Sequence, residues 1–99
     1  MANLLFTEKA LADLSAIWNY TEENWSERQA DLYFDKIYKC CLAISLKQKK
    51  GKPYIEIGEN VWGYLIGQHI IFYRCLNNQL FEITRILHAR MDYKRRIKE

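Results

Sequence analysis

Apolar residues recur at three- and four-residue spacing through the first quarter of the chain: Leu11, Leu14, Trp18 and Trp25, with Ile17 beside them. That period predicts an amphipathic helix. Its polar face would carry Glu8, Lys9, Asp13, Asn19, Glu22 and Glu23, and it should end near Asn24. Residues 2–6 are short and apolar, which suits a strand, and Thr7 then suits a helix N-cap. Ser26-Glu27-Arg28-Gln29 reads as a capping box opening a second helix. Ala30, Tyr33, Phe34, Ile37, Cys41 and Ile44 form its apolar stripe. So short a link between two helices predicts an antiparallel hairpin.

The pattern changes period after Leu46. Lys47 to Pro53 breaks the helical spacing and reads as a loop. Three β-rich stretches follow. Tyr54–Ile57 with Val61–Ile66 reads as a strand entry interrupted at Gly58-Glu59-Asn60. Gly67-Gln68 is a turn, His69–Leu76 a second strand, and Asn77-Asn78 a hairpin turn. Gln79–His88 is the last strand, and the tail from Asp92 is either helical or loose. The order is β-α-α-β-β-β, an α+β arrangement in one domain over residues 1–99. The last three strands should form an antiparallel meander within a small, mainly antiparallel sheet. The helical hairpin should cover one face, leaving the other open to solvent or a partner.

Composition narrows the class. A chain of 99 residues with 49% hydrophobic and 14% aromatic content can bury one compact core. Net charge is only +3, but its distribution is uneven. Residues 89–98 hold Arg90, Lys94, Arg95, Arg96 and Lys98 against Asp92 alone. Residues 47–52 hold Lys47, Lys49, Lys50 and Lys52 with no acid. The N-terminus shows neither a basic leader nor a long apolar run, so neither a signal peptide nor a membrane span is expected. Cys40, Cys41 and Cys75 suit neither a routine disulfide nor a zinc knuckle, which points to a reducing cytoplasm. No phosphate-binding glycine loop, metal-ligand spacing or nucleophile elbow is present in the sequence, so no cofactor or metal is expected.

Candidate chemistry concentrates at the C-terminal end. Strand alternation would place Arg85 on a face with Phe81, Ile83 and Leu87. An arginine there needs an ion partner, with Glu56, Glu59 or Asp92 as candidates, or a bound ligand. His88 is either a general acid or base, or a strand-end residue ordering the following turn. His69 opens an apolar strand and reads as structural or surface. Arg90, Tyr93, Lys94, Arg95 and Arg96 form a cationic edge fit to touch an acidic or phosphate-bearing partner. Trp62 and Tyr64 share a face of a possible edge strand and complete the candidate binding set. Trp18, Trp25, Tyr33, Phe34, Phe72 and Tyr73 fall on apolar faces and read as core.

Several segments in order resemble ParE-type toxins of the ParE/RelE superfamily. Leu4-Leu5-Phe6-Thr7-Glu8-Lys9-Ala10-Leu11-Ala12-Asp13-Leu14, then Ile17-Trp18-Asn19-Tyr20-Thr21 and Trp25, is similar to that family's opening. Gln29, Ala30 and Tyr33 resemble its second helix, and Gly67-Gln68-His69-Ile70-Ile71-Phe72-Tyr73-Arg74 its central strand. Ile86-Leu87-His88-Ala89-Arg90-Met91-Asp92 is the most specific piece. The resemblance implies a β-α-α-β-β-β fold and neutralisation by a cognate ParD-like antitoxin. It further implies poisoning of DNA gyrase through contact rather than catalysis, with no sequence-specific nucleic-acid binding by the toxin alone. RelE-type relatives instead cleave messenger RNA on the ribosome, the alternative activity. Trp62 stands where the family often has arginine.

Overall fold

The computed structural model describes residues 3–77, 79–90, 95 and 97. Strand β1 spans Asn3–Phe6, helix α1 Glu8–Asn24 and helix α2 Glu27–Ser45. The two-residue β2 covers Lys52–Pro53, and β3, β4 and β5 cover Trp62–Ile66, His69–Asn77 and Leu80–His88. The sheet order is β1-β5-β4-β3-β2. The last three strands are an antiparallel meander, while β1 lies parallel to β5 with Leu4 opposite Phe81 and Phe6 opposite Ile83. Both helix starts follow the cap chemistry: Thr7 accepts from the Ala10 N–H and Ser26 from the Gln29 N–H, each at 3.0 Å.

The helices bury Ala10, Leu14, Ile37, Cys40, Cys41 and Ile44 against Ile66, Ile71, Tyr73, Phe81, Ile83 and Ile86. The inward face of α1 is therefore rotated from the expected stripe. Ala10, Leu14 and Ile17 point at the sheet, whereas Leu11 is half exposed and Trp25, at the helix end, is 77% exposed. Phe34 is likewise exposed rather than core. Trp18 is half-buried and its indole N–H donates to Asp31 across the hairpin at 2.9 Å. The thiols of Cys40, Cys41 and Cys75 are free, and burial pushes that of Cys41 up to about 12, which keeps it protonated.

Four sequence expectations are corrected. Residues Ile55–Ile57 form a turn, and the strand pairing falls instead to Lys52–Pro53, inside the expected loop. The chain from Tyr54 to Val61 folds over the sheet face away from the helices. There Tyr54, Ile70, Phe72 and Leu87 form a second core with Ile57, Val61 and Ile97 against it. That face is thus not open. Trp62 and Tyr64 are half-buried on β3, which β2 borders, rather than exposed on an edge. Finally, a register shift pairs Phe72 with Arg85 but Tyr73 with Ile83, leaving Thr84 as an extra residue on β5. Such a bulge breaks the two-residue alternation. Phe81 and Ile83 face the helices while Leu87 faces the second core, so the expected common face does not exist. Of the tail, Arg95 and Ile97 have helical backbone, and the rest from Asp92 lies outside the described residues.

The bulge is where α1 is anchored. β1 ends at Phe6, level with Ile83, so the outer edge of β5 beyond that point has no neighbouring strand. The α1 region supplies the missing partners. The Thr7 N–H donates to the Ile83 carbonyl at 3.0 Å and the Thr7 hydroxyl to the Thr84 carbonyl at 2.7 Å. The Ile86 N–H donates to Asp13 Oδ2 at 2.9 Å. Arg85 closes the set, giving Nε to Asp13 Oδ2 at 2.8 Å and Nη2 to Oδ1 at 3.1 Å. Both side chains of the pair are only 14% exposed. Removing one member of a buried pair strands the other charge. Asp13→Ala should therefore cost about 3–5 kcal/mol. Asp13→Asn, which keeps an acceptor for the Ile86 N–H, should cost less. Urea unfolding midpoints of the two variants measure the difference.

Candidate functional site

A concavity of about 710 Å³ lies between the hairpin and one end of the sheet. The second half of α1 supplies one wall through Ile17, Tyr20, Thr21 and Trp25, with Gln29 and Tyr33 from the start of α2. The Gly67-Gln68 turn and the end of β5 supply the floor. Tyr20 is 66% exposed and stands with Trp25 at the rim, so large apolar side chains face solvent beside a polar floor. Exposed aromatics clustered on one groove signal a surface that another molecule covers.

A hydrogen-bonded chain runs along the floor. The Tyr33 hydroxyl sits 2.6 Å from His69 Nδ1 and accepts the Gln68 N–H at 3.2 Å. The phenol also lies 3.4 Å from the Ile66 carbonyl, so its proton goes to His69 Nδ1 or to that carbonyl according to the histidine's tautomer. The His69 and His88 rings meet edge-on with centroids 5.3 Å apart. His88 Nδ1 accepts the Arg90 N–H at 3.1 Å, so its Nε2 carries the proton toward Gln68 Oε1, 3.3 Å away. Gly67 makes this packing possible. Its φ is +57°, and a Cβ there would lie 2.7 Å from the Tyr33 hydroxyl.

Burial works against charge at two groups of the floor. Burial, then the neighbouring His88, hold His69 down to about 4 from 6.5, with Asp13 pulling the other way. Burial raises the Tyr33 phenol, and the Gln68 N–H only partly offsets it. The site thus offers hydrogen-bonding groups between apolar walls. Among the described residues, no group of three His, Cys, Asp or Glu is placed to hold a metal ion, and no helix is long and apolar enough to cross a membrane.

The sequence-derived candidates fall into separate places. His88 lines the groove, and Arg85 lies behind it, bound to Asp13 of α1, an acid outside the three anticipated. Arg90 is exposed on the turn after β5, and Arg95 is exposed at a helical position. Tyr93, Lys94 and Arg96 lie outside the described residues. Trp62 and Tyr64 are elsewhere, on β3, with Lys50 and Lys49 lying over their rings. His69, Tyr33, Gln68 and Asp13 are the residues that sequence reasoning missed. Tyr33 was assigned to the core stripe, and only its polar tip, at the hairpin's groove end, gives it this role.

Comparison with known proteins gives the chain its relatives. The family profile described as "ParE toxin of type II toxin-antitoxin system, parDE" matches residues 4–93. Toxin ParE1 of Mycobacterium tuberculosis (strain ATCC 25618 / H37Rv) is 28% identical over 93 residues, covering 94% of this chain and 95% of that one. Toxin ParE1 of Caulobacter vibrioides (strain ATCC 19089 / CIP 103742 / CB 15) is 30% identical over 86 residues, covering 87% and 88%. A solved structure described as "Chromosomal ParDE TA system from P. aeruginosa" superposes with a TM-score of 0.75 at 22% identity, over 89% of this chain and 96% of that one. That likeness shows the fold.

The depressed histidine makes a pH prediction. Above pH 6.5 His69 is neutral whether the chain is folded or not, and its contribution is fully present. As pH falls from 6.5 toward 4 the unfolded chain takes a proton that the folded one refuses, so stability drops across that window and levels below it. An NMR titration should show the His69 ring resonances shifting near pH 4, well below those of an exposed imidazole. His69→Gln should flatten that part of the stability–pH curve.

Proposed function

The chain belongs to the family of ParE toxins of type II toxin–antitoxin systems, and from that premise we propose that a cognate ParD-like antitoxin restrains it and that the released toxin arrests growth by binding and poisoning DNA gyrase. The family match over residues 4–93 carries this reading. The groove supports the antitoxin half. Its rim exposes Trp25 and Tyr20, which suits the apolar side of a peptide that orders on binding. Arg90, exposed two residues beyond His88, suits an acidic residue of the same partner. Poisoning by contact asks for a complementary surface and no proton transfer, and the neutral, desolvated histidine of the floor fits that requirement better than it fits acid–base work at neutral pH.

Antitoxin binding should survive moderate salt, because apolar burial is not screened. Trp25→Ala should weaken it about 30-fold or more, the loss expected of a large aromatic side chain that becomes buried on binding. Calorimetric titration in low and moderate salt tests both statements, and loss of binding at modest ionic strength would contradict the apolar contribution.

For the target, purified toxin should lower gyrase supercoiling and accumulate cleaved DNA–gyrase complexes. Truncating the chain after Asp92 is a confounded test, because Ile97 packs on the second core. The double variant Arg90→Gln/Arg95→Gln removes charge without that loss and should weaken poisoning more than His88→Gln does. A ribosome-dependent nuclease would behave oppositely, losing about 10²–10⁴-fold with its general acid or base. Codon-dependent messenger cleavage with gyrase untouched would replace the gyrase reading with the RelE-like one.

A further inference from the structure

The ladder between β4 and β5 ends at the His69–His88 pair, so the turn holding Ala89 and Arg90 lies beyond it. A backbone amide there must find its acceptor outside the ladder or in water. Both amides find one, and both trace back to Gln68. The Ala89 N–H donates to the Gln68 carbonyl at 2.9 Å. The Arg90 N–H donates to His88 Nδ1 at 3.1 Å, and His88 Nε2 lies 3.3 Å from Gln68 Oε1. His88 passes the bond on because its ring nitrogens have opposite roles: Nδ1 accepts, so Nε2 donates. Gln68 is therefore joined to the turn by two branches, one through its backbone and one through its side chain. It is itself held by α2, because its N–H donates to the Tyr33 hydroxyl at 3.2 Å. That hydroxyl also lies 2.6 Å from His69 Nδ1 and 3.4 Å from the Ile66 carbonyl, which sets it across the mouth of the β3–β4 turn. Arg90 is exposed, and among the described residues no ion pair holds its guanidinium.

We propose that Gln68 is the positioning residue for Arg90: anchored by Tyr33, it sets the turn that presents this arginine beside the groove. The role rests on Arg90 meeting an acidic residue of the partner, and Gln68 serves that contact through the turn rather than by its own charge. An arginine on a loose turn would lose backbone and side-chain freedom together on docking. Fixing the backbone beforehand leaves only the side chain to order, which lowers the cost of contact. The two branches are unequal. The side-chain branch contains the longest bond of the two, 3.3 Å, and Gln68 is exposed in the groove lining. A bond of that length is weak, so this branch is the one that sets how firmly Arg90 is held. The backbone branch needs no particular side chain at position 68, so mutation separates the two.

Amide hydrogen exchange, read by NMR on the purified full chain, tests the branches one at a time. Gln68→Ala should speed exchange at Arg90 about tenfold, the loss of one net hydrogen bond, and leave Ala89 within about twofold. Gln68→Glu keeps an acceptor for His88 Nε2 and should restore the protection of Arg90. Tyr33→Phe keeps the ring and should speed the Gln68 and Ala89 amides together. In a His88→Ala background, Gln68→Ala should change nothing further at Arg90. A second arm follows binding of the ParD-like antitoxin against salt, because screening acts on an ion pair and not on a neutral contact at Gln68. Arg90→Gln should flatten the salt dependence, Gln68→Ala should flatten it too, and Gln68→Ala/Arg90→Gln should match Arg90→Gln. Thermal melting checks that every variant is folded. Unchanged Arg90 exchange in Gln68→Ala, or an equal rise at Ala89 and Arg90, would overturn the proposal. So would full salt dependence in Gln68→Ala when Arg90→Gln has lost part of it. If Arg90→Gln itself keeps the full salt dependence, the partner contact of Arg90 is what fails, and exchange alone decides the positioning.

Discussion

The arrangement depends on a mismatch in strand length. β5 has nine residues and its parallel neighbour β1 only four, so half of one edge of the central β5 would be left without hydrogen bonds where α1 must pack. A backbone amide or carbonyl buried without a partner costs about 1–3 kcal/mol. The fold avoids that cost by letting the helix entrance continue the strand's work. Thr7 serves both elements, accepting from the Ala10 N–H as a cap while donating to the Thr84 carbonyl. One turn and a half further on, Asp13 takes the Ile86 N–H and the Arg85 guanidinium together. The angle at which α1 leaves the sheet is thereby set by polar contacts at both ends of its first half, and apolar packing of Ala10 and Leu14 fills the space between them.

What the sequence made legible is what depends on local order. The Ser26 cap, the period of α2 and the Gly67-Gln68 turn are each determined by neighbours within four residues, and each appears where the pattern put it. The bulge at Thr84 is different in kind. It inserts one residue into an otherwise regular two-residue alternation, and its benefit, meeting Asp13, comes from a residue 72 positions away from Arg85. No window of sequence around β5 contains that partner. The covering of the second sheet face had the same cause. Tyr54, Ile57 and Val61 look like interrupted strand because they are apolar and β-prone, but they bury by lying across the sheet rather than within it. Trp25 shows the converse, continuing the helical period while ending on the outside, because the helix stops at Asn24 and the chain turns away.

Two surfaces of contrasting physics result. The groove is apolar at its walls and hydrogen-bonding at its floor, so attraction there is short-ranged and grows with the area a partner removes from water. The lysine edge is exposed and positive, so its attraction reaches about a Debye length into solution and weakens with salt. The groove is built by the hairpin, the β3–β4 turn and the end of β5, the edge by the segment that follows α2, and nine of the chain's fifteen basic residues fall in two runs while its net charge stays at +3.

The groove and the anchor of α1 share residues, and this couples binding to folding. Asp13 and Ile86 line the groove and also hold α1 to β5, while Ile17, on the same wall, packs on the main core. An occupant of the groove would shield the Asp13–Arg85 pair further from water and strengthen it, since a charge pair already bonded at both oxygens gains from a lower surrounding dielectric without a further unpaired group to desolvate. It would bind only the folded chain, because the unfolded one has no wall for it to fill. Occupancy and the docking of α1 therefore draw on the same contacts, and a partner that covered Trp25 and Tyr20 would stabilise the fold as it bound.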